Sequence, residues 1–181
     1  MPSVTDITRT VSRFATQPPD LSVPSLWAAM SQLPGGKALF TRAICLKAPY
    51  FGSIDPHIQE LRSGYCEVHV KDHRAVHNHL GTVHAIAMCN MAELAGGMAT
   101  EVTIPTDARW IPVGMTVEYL RKARGNLRAV ATLDPIPPHE QGVDVIANVE
   151  ILDKSDQPVM KAAITMRVSP QRAGPVSGDR D

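Results

Sequence analysis

The sequence is poor in aromatic residues and carries no net charge. Aromatic side chains make up only 4% of the chain, too few for the stacking platforms that bind single-stranded nucleic acids. Its 18 basic and 18 acidic residues cancel, so no overall electrostatic field attracts nucleic acid or an anionic membrane. We therefore expect neither a nucleic-acid partner nor a membrane partner.

Cysteines and long apolar runs are also scarce. The three cysteines, Cys45, Cys66 and Cys89, are widely spaced and form no CxxC pair, so we expect no disulfide framework. No stretch approaches the roughly 20 apolar residues of a transmembrane helix. Residues 1–20 contain no apolar run of signal-peptide length. These absences predict a cytoplasmic protein.

The chain has 181 residues, 44% of them hydrophobic, and can bury one sizeable core. We expect a helical extension over residues 1–36, one domain over residues 37–168 and a disordered tail over residues 169–181. The tail is rich in proline, glycine and charge, with little to bury.

Two helices are predicted in the extension. Ile7, Val11 and Phe14 recur at helical spacing in the first. The second is expected over residues 24–33, with Ser22 or Ser25 as its N-cap.

Apolar and β-branched residues predict about six antiparallel strands. The first two are expected at residues 38–47 and 64–71. Four runs with a period of two follow a long apolar helix, at residues 115–123, 126–133, 143–152 and 159–168. Because only short turns separate these runs, we expect consecutive strands to pair.

The long helix is apolar on almost every side and contains one carboxylate, Glu93. It is predicted from residue 81 or 82 to residue 95, with Gly96-Gly97 as its stop. A helix of this kind must be enclosed, and a curved sheet would enclose it. A buried carboxylate has a raised pKa and is a candidate general base or nucleophile, which Asn90 on the same face could orient. The alternative is a structural glutamate at a domain or subunit seam.

The loop before this helix, HNHLGT, offers hydrogen-bond donors. Asn78 can donate and accept, and Gly81 allows a close backbone approach. The first helical turn exposes N–H groups that suit an oxyanion. The alternative is an ordinary loop with Thr82 as N-cap.

Five histidines lie close together in this part of the sequence, which raises the possibility of a metal site. No cysteine or carboxylate follows them at metal-site spacing, so we expect none. His84 is better suited to packing or to substrate contact. The five are His69, His73, His77, His79 and His84.

The spacing of Asn78, Gly81, His84 and Glu93 resembles that of hotdog-fold acyl-CoA thioesterases. The resemblance is to the DUF4442 branch, near the thioesterases of the phenylacetate pathway, and covers roughly residues 38–168. It implies an α+β hotdog fold in which the sheet wraps the helix. It also implies dimers, or dimers of dimers, with the site at the seam between subunits. The substrate would be an acyl-CoA thioester, and no cofactor is expected.

The resemblance also implies roles for individual residues. N–H groups at Ala85 or Ile86, together with Asn78, would hold the thioester carbonyl oxygen while Glu93 acts as base or nucleophile. The family has Gly-Gly where this chain has Ala85-Ile86, so Ile86 is expected to narrow the pocket or to point into the core.

Three cations that follow the helix, Arg121, Lys122 and Arg124, could pair with coenzyme A phosphates. The alternative is a solvated strand edge or turn.

Two other functions remain open at this stage. One is a hotdog protein that binds an acyl group without turnover, which the replacement of Gly-Gly favours. The other is a hydratase or dehydratase in which His79 or His84 partners Glu93. The Pro-Gly pair that is typical of the helix start in such dehydratases is missing from this sequence.

Overall fold

A long helix lies against a six-stranded antiparallel sheet in the hotdog arrangement. The structure is a computed structural model and describes residues 22–171. Three helices are described: α1 (Val23–Met30), α2 (Gly36–Lys47) and α3 (Ala85–Glu101). The strands are β1 (Pro56–Arg62), β2 (Tyr65–Val70), β3 (Ala108–Tyr119), β4 (Leu127–Leu133), β5 (Val143–Leu152) and β6 (Pro158–Pro170). Short 3-10 helices span Pro49–Ile54 and Arg74–Val76. Within residues 22–171, no helix is both long and apolar enough to cross a membrane.

Most of the predicted strands are confirmed where the period-two pattern is strong. β2, β4, β5 and β6 lie within one to two residues of their predicted bounds, and α1 begins beside its predicted cap, Ser22, whose side chain accepts a hydrogen bond from the Ser25 N–H. The helix predicted around Ile7 lies outside the described residues.

The strand order confirms the expected consecutive pairing for β4, β5 and β6 and corrects it for β3. The order is β1-β2-β4-β5-β6-β3, so β3 pairs with β6 and not with β4. The connection after β3 explains this, because Ala123 is buried there and its carbonyl accepts a hydrogen bond from the Val83 N–H at 3.0 Å. That contact draws the chain away from β3 and across to the loop before α3.

The strand predicted at residues 38–47 is wrong, because this segment forms helix α2. Its Phe40 and Thr41 are buried. The Thr41 hydroxyl donates to the Lys37 carbonyl (2.8 Å) and accepts from the buried Ile58 N–H (3.0 Å). This tie fastens α2 to β1, a strand that the sequence pattern did not reveal.

Helix α3 begins and ends later than predicted. It starts at Ala85 and continues through Gly96-Gly97 to Glu101. The two glycines lie inside the helix, where the absence of side chains makes room for Ile164 and Trp110. A Cβ on Gly96 would lie 3.0 Å from the Ile164 side chain, and one on Gly97 would lie 2.9 Å from the Trp110 ring. The sheet therefore packs more closely on α3 than side chains at these positions would allow.

Candidate active site

The loop before α3 is shaped by the side chain of Asn78. Its Oδ1 accepts hydrogen bonds from the N–H groups of Leu80 (2.9 Å) and Thr82 (3.2 Å), and its Nδ2 donates to Thr82 Oγ1 (2.8 Å). Gly81 has a φ of +66°, a backbone conformation that residues with a side chain rarely adopt. Both polar ends of the Asn78 amide are thus engaged within the loop, where they fix the path of the chain into α3.

His84, and not Thr82, is the N-cap of α3. Its Nδ1 accepts the Ile86 N–H at 3.0 Å, while Thr82 is buried. The His84 N–H itself donates to the Val76 carbonyl (2.7 Å). Within residues 22–171, the Ala85 N–H meets no hydrogen-bond acceptor. Of the two donors expected from the sequence, Ala85 is therefore the one left available at the positive end of the helix.

The Ala85-Ile86 replacement leaves this helix end intact. Ala85 lies within regular helix, so the freedom of glycine is not needed there. Ile86 is 53% exposed, so the expectation that it points into the core is wrong. Its side chain borders a cavity of about 180 Å³ shared with His84 and Asn90.

Glu93 is exposed in the single chain, which corrects the expectation of a buried carboxylate. The sheet covers most of α3 but leaves uncovered the row that carries Ile86 and Glu93. Beside Glu93 is a cavity of about 450 Å³, which we call the Glu93 cavity. Its other lining residues are mainly apolar and come from α1, α2, the 3-10 helix that follows α2, α3 and β3: Val23, Ile44, Lys47, Ala48, Phe51, Leu94, Gly97, Met98, Glu101, Trp110 and Pro112.

Asn90 does not orient Glu93 as expected. It is buried, and its Nδ2 donates to the Tyr50 carbonyl and to Ser53 Oγ, both at 3.2 Å. Its Oδ1 is buried and has no partner among the described residues. Asn90 thus fastens the 3-10 helix Pro49–Ile54 to α3.

Strand β3 leaves an apolar edge uncovered next to α3. Among the described strands it pairs only with β6, and within residues 22–171 Ile111, Val113 and Met115 are 40–60% exposed. Near its end, the Tyr119 hydroxyl lies 3.3 Å from the Cys89 sulfur, and this hydrogen bond raises the pKa of Tyr119. The free edge of β3 and the uncovered row of α3 therefore belong to one side of the molecule.

A carboxylate ties the loop before α3 to the turn before β4. Asp72 bonds to the His77 ring and accepts the Gly125 N–H at 2.9 Å. The hydrogen bond from His77 is the main cause that holds the pKa of Asp72 below its ordinary value, and the Gly125 N–H adds to it. None of the described residues form a group of three or more His, Cys, Asp or Glu placed to hold a metal ion.

Comparison with known proteins places the chain in a family. The model of the family described as "Domain of unknown function (DUF4442)" matches residues 36–168. The chain belongs to the DUF4442 family. It is 45% identical to a crystal structure from structural genomics, with a TM-score of 0.72 over 82% of this chain and 99% of that chain. No curated protein matches it significantly.

The wider fold of this DUF4442 protein is shared with hotdog thioesterases. A thioesterase from Haemophilus influenzae is 13% identical, with a TM-score of 0.62 over 70% of this chain and 86% of its own. A thioesterase from Staphylococcus aureus is 15% identical, with a TM-score of 0.60 over 67% of this chain and 98% of its own. At such identity these likenesses establish the fold alone.

In this DUF4442 chain the three predicted cations lie beside the start of α3. Arg121 is engaged, because its guanidinium donates to the Pro158 carbonyl at 2.8 and 3.2 Å. Lys122 and Arg124 are exposed on either side of Ala123, whose carbonyl holds the Val83 N–H. The contact with Val83 brings the backbone on either side of Ala123 close to the end of the helix where the Ala85 N–H is available.

Sequence reasoning missed Trp110. Its indole Nε1 donates to the Glu101 carboxylate at 2.6 Å, and its ring packs over Gly97. Only the Gly-Gly pair in α3 hinted that a bulky group approaches the helix there, and that pair was interpreted as a helix stop.

Proposed function

We propose that the protein hydrolyses an acyl-CoA thioester at a site shared by two copies of the chain, with Glu93 as general base or nucleophile. The observation that carries this proposal is an exposed carboxylate on α3 that borders an apolar cavity of about 450 Å³. Cavities of this size and character are typical of small-molecule sites. The apolar walls suit an acyl group. In this proposal the thioester carbonyl lies next to the Glu93 carboxylate.

Helix geometry favours two chains over one. Ala85 and Glu93 are eight residues apart on α3, which is about 12 Å along the axis at 1.5 Å per residue. The Ala85 N–H, at the first position of the helix, points away from Glu93. A carbonyl carbon must lie about 3–3.5 Å from its attacking atom, with its oxygen about 3 Å from the donor. Because the Ala85 N–H points away from Glu93 of its own chain, we infer that the donor facing Glu93 is Ala85 of the partner subunit.

The surface of the protein supports a twofold dimer of this kind. The uncovered row of α3 and the apolar edge of β3 lie side by side, and a free strand edge is a template for pairing with another chain. A twofold interface brings the same surface from both copies together and creates two equivalent sites. Two such dimers could assemble further into a tetramer.

In the reaction, the thioester carbonyl oxygen accepts a hydrogen bond from the N–H of Ala85 of the partner subunit. Glu93 removes a proton from water. The resulting hydroxide attacks the carbonyl carbon, the C–S bond breaks, and the thiolate takes the proton from Glu93 and leaves as the thiol. In the alternative route Glu93 attacks the carbonyl carbon directly and the C–S bond breaks; the thiolate leaves, and water then hydrolyses the resulting acyl anhydride. Lys122 and Arg124 are placed to pair with coenzyme A phosphates near the helix end. The three cysteines are free thiols, which suits a cytoplasmic location.

The test is thiol release from short, medium, long and aromatic acyl-CoAs by the wild-type protein and by Glu93→Gln. We expect turnover in the wild type and a loss of at least about a hundredfold in kcat for the variant. Because Glu93 makes no hydrogen bond or ion pair within residues 22–171, the substitution should leave the fold of the single chain intact, which the unfolding midpoint checks. Glu140→Gln, an exposed substitution in the turn before β5 and on neither α3 nor β3, is the matched control and should keep full activity.

Absence of turnover with every acyl-CoA in the wild type would contradict the proposal. If the same protein still bound acyl-CoA saturably, the acyl-binding alternative would replace it.

A further inference from the structure

Trp110 stands between two cavities on one flank of α3. One is the Glu93 cavity, and the other has a volume of about 480 Å³. Val23, Glu101 and Trp110 line both. The indole is therefore part of the wall that separates them.

The indole is held in this position from two sides. Its Nε1–H donates to the Glu101 carboxylate at 2.6 Å. On the other side its ring lies against Gly97, where a Cβ would come within 2.9 Å of the ring edge. A ring pinned by a charge-assisted hydrogen bond and by helix backbone is a fixed wall.

The two cavities differ in chemical character. Ile44, Phe51, Leu94 and Met98 give the Glu93 cavity apolar walls. The second cavity has polar groups in its lining: Ser22, Thr106, Arg109 and Gln171. An acyl chain that extends from Glu93 is thus in apolar surroundings until it reaches Trp110.

We infer that Trp110 closes the far end of the Glu93 cavity and sets the longest acyl group that the site accepts. This inference rests on the proposed thioesterase function, for which it names the substrate class. That class is medium-chain or arylacyl thioesters, whose acyl groups fit on the Glu93 side of the indole. Longer chains would have to displace the ring and break its bond to Glu101. Helices α1 and α2 contribute to specificity, because Val23 and Ile44 belong to the walls of the Glu93 cavity.

The first test compares octanoyl-CoA with palmitoyl-CoA as substrates. We expect the wild type to cleave octanoyl-CoA more efficiently. Trp110→Ala joins the two cavities and should raise the ratio of kcat/KM for palmitoyl-CoA to that for octanoyl-CoA by at least about tenfold. Trp110→Phe keeps an aromatic wall and should leave the ratio near its wild-type value. Trp27→Phe is the control for loss of a tryptophan, because Trp27 lines neither cavity and packs edge-on against Phe40.

The second test needs neither turnover nor a change at Trp110. The chain has two tryptophans, so Trp27→Phe leaves Trp110 as the only indole. With Glu93→Gln added to stop hydrolysis, titration with octanoyl-CoA should change the emission of Trp110 saturably. Coenzyme A without an acyl group should leave the emission unchanged.

The outcomes separate the inference from the proposed reaction. If Glu93-dependent hydrolysis is present but Trp110→Ala leaves the chain-length ratio unchanged, the wall is refuted and the thioesterase stands. If the wild type hydrolyses nothing while octanoyl-CoA still alters Trp110 emission, the proposed hydrolysis is refuted. The contact between the acyl group and Trp110 is then still supported. If acyl-CoA neither reacts nor changes the emission, both are refuted. Should Trp110→Ala fail to fold, the titration of Trp27→Phe with octanoyl-CoA and with palmitoyl-CoA decides: weaker binding of palmitoyl-CoA is expected, and equal or tighter binding would refute the wall.

Discussion

Replacement of Ala85 by proline tests whether the active site needs two chains. Proline has no N–H, so Ala85→Pro removes the donor that the proposed reaction uses at the start of α3. The helix should tolerate the change, because proline is favoured at the first helical position. His84, with φ −67° and ψ 139°, already has the extended conformation that a residue before proline prefers. We expect stability to stay the same or to rise by about 0.4–1 kcal/mol.

The catalytic effect should be large. An oxyanion donor contributes about 2.7–4 kcal/mol, so kcat should fall by about a hundredfold to a thousandfold. Ala85→Gly is the matched control, because glycine keeps the N–H and is the residue that the resemblance to hotdog thioesterases implies at this position. It should retain activity at a small cost in stability.

A mixed dimer then distinguishes one-chain from two-chain sites. A chain with Ala85→Pro keeps its Glu93, and a chain with Glu93→Gln keeps its Ala85 N–H. If the two groups act across the interface, a heterodimer isolated through two different tags contains one intact site of two. It should show about half of the wild-type activity, although both parent homodimers are inactive. A heterodimer as inactive as its parents would refute the reasoning from helix geometry.

Two further predictions follow from the same region. The pairing of Ala85 with Glu93 of the partner subunit is reciprocal, so Cys89, midway between them, should face its own copy. A short bis-maleimide should therefore link two wild-type chains and two Cys45→Ser chains but not two Cys89→Ser chains, and a dimer that links only through Cys45 would contradict the arrangement. The pKa of Asp72 is lowered in the folded protein, mainly by its hydrogen bond with His77. The stabilisation of the fold by ionised Asp72 is therefore fully present above the ordinary pKa of 3.8, and it is lost as the pH falls through the lower pKa of the folded state. Urea unfolding between pH 3 and pH 6 should show that Asp72→Asn is less stable than the wild type at the upper end and that the difference shrinks toward the lower end, whereas a difference independent of pH would argue against this role.

Part of the fold could be read from the sequence because strong local patterns leave few alternatives. A period of two over residues 143–152 fixes which side chains of β5 face inward, and the observed strand has the same bounds. The spacing of Asn78, His84 and Glu93 likewise located the segment that forms the loop, the cap and the exposed carboxylate of the candidate site.

Where local signals were ambiguous, distant contacts decided. The apolar run at residues 38–47 fits a strand or a helix. As helix α2 it places the Thr41 hydroxyl where it accepts a hydrogen bond from the Ile58 N–H of β1, and this distant contact favours the helix. Gly97 resembles a helix stop, yet α3 continues because the Trp110 ring takes the place of a side chain there.

The sequence by itself thus determined the type of fold, most of its strands and the helix that carries Glu93. Only the tertiary structure decided that this carboxylate is exposed, that the Ala85 N–H is available and that Trp110 lies between two cavities. Secondary structure follows from neighbours three or four residues away, or two in a strand. The exposure of a helix face depends on where a sheet ends, and a cavity wall depends on residues as far apart in the chain as Val23 and Trp110.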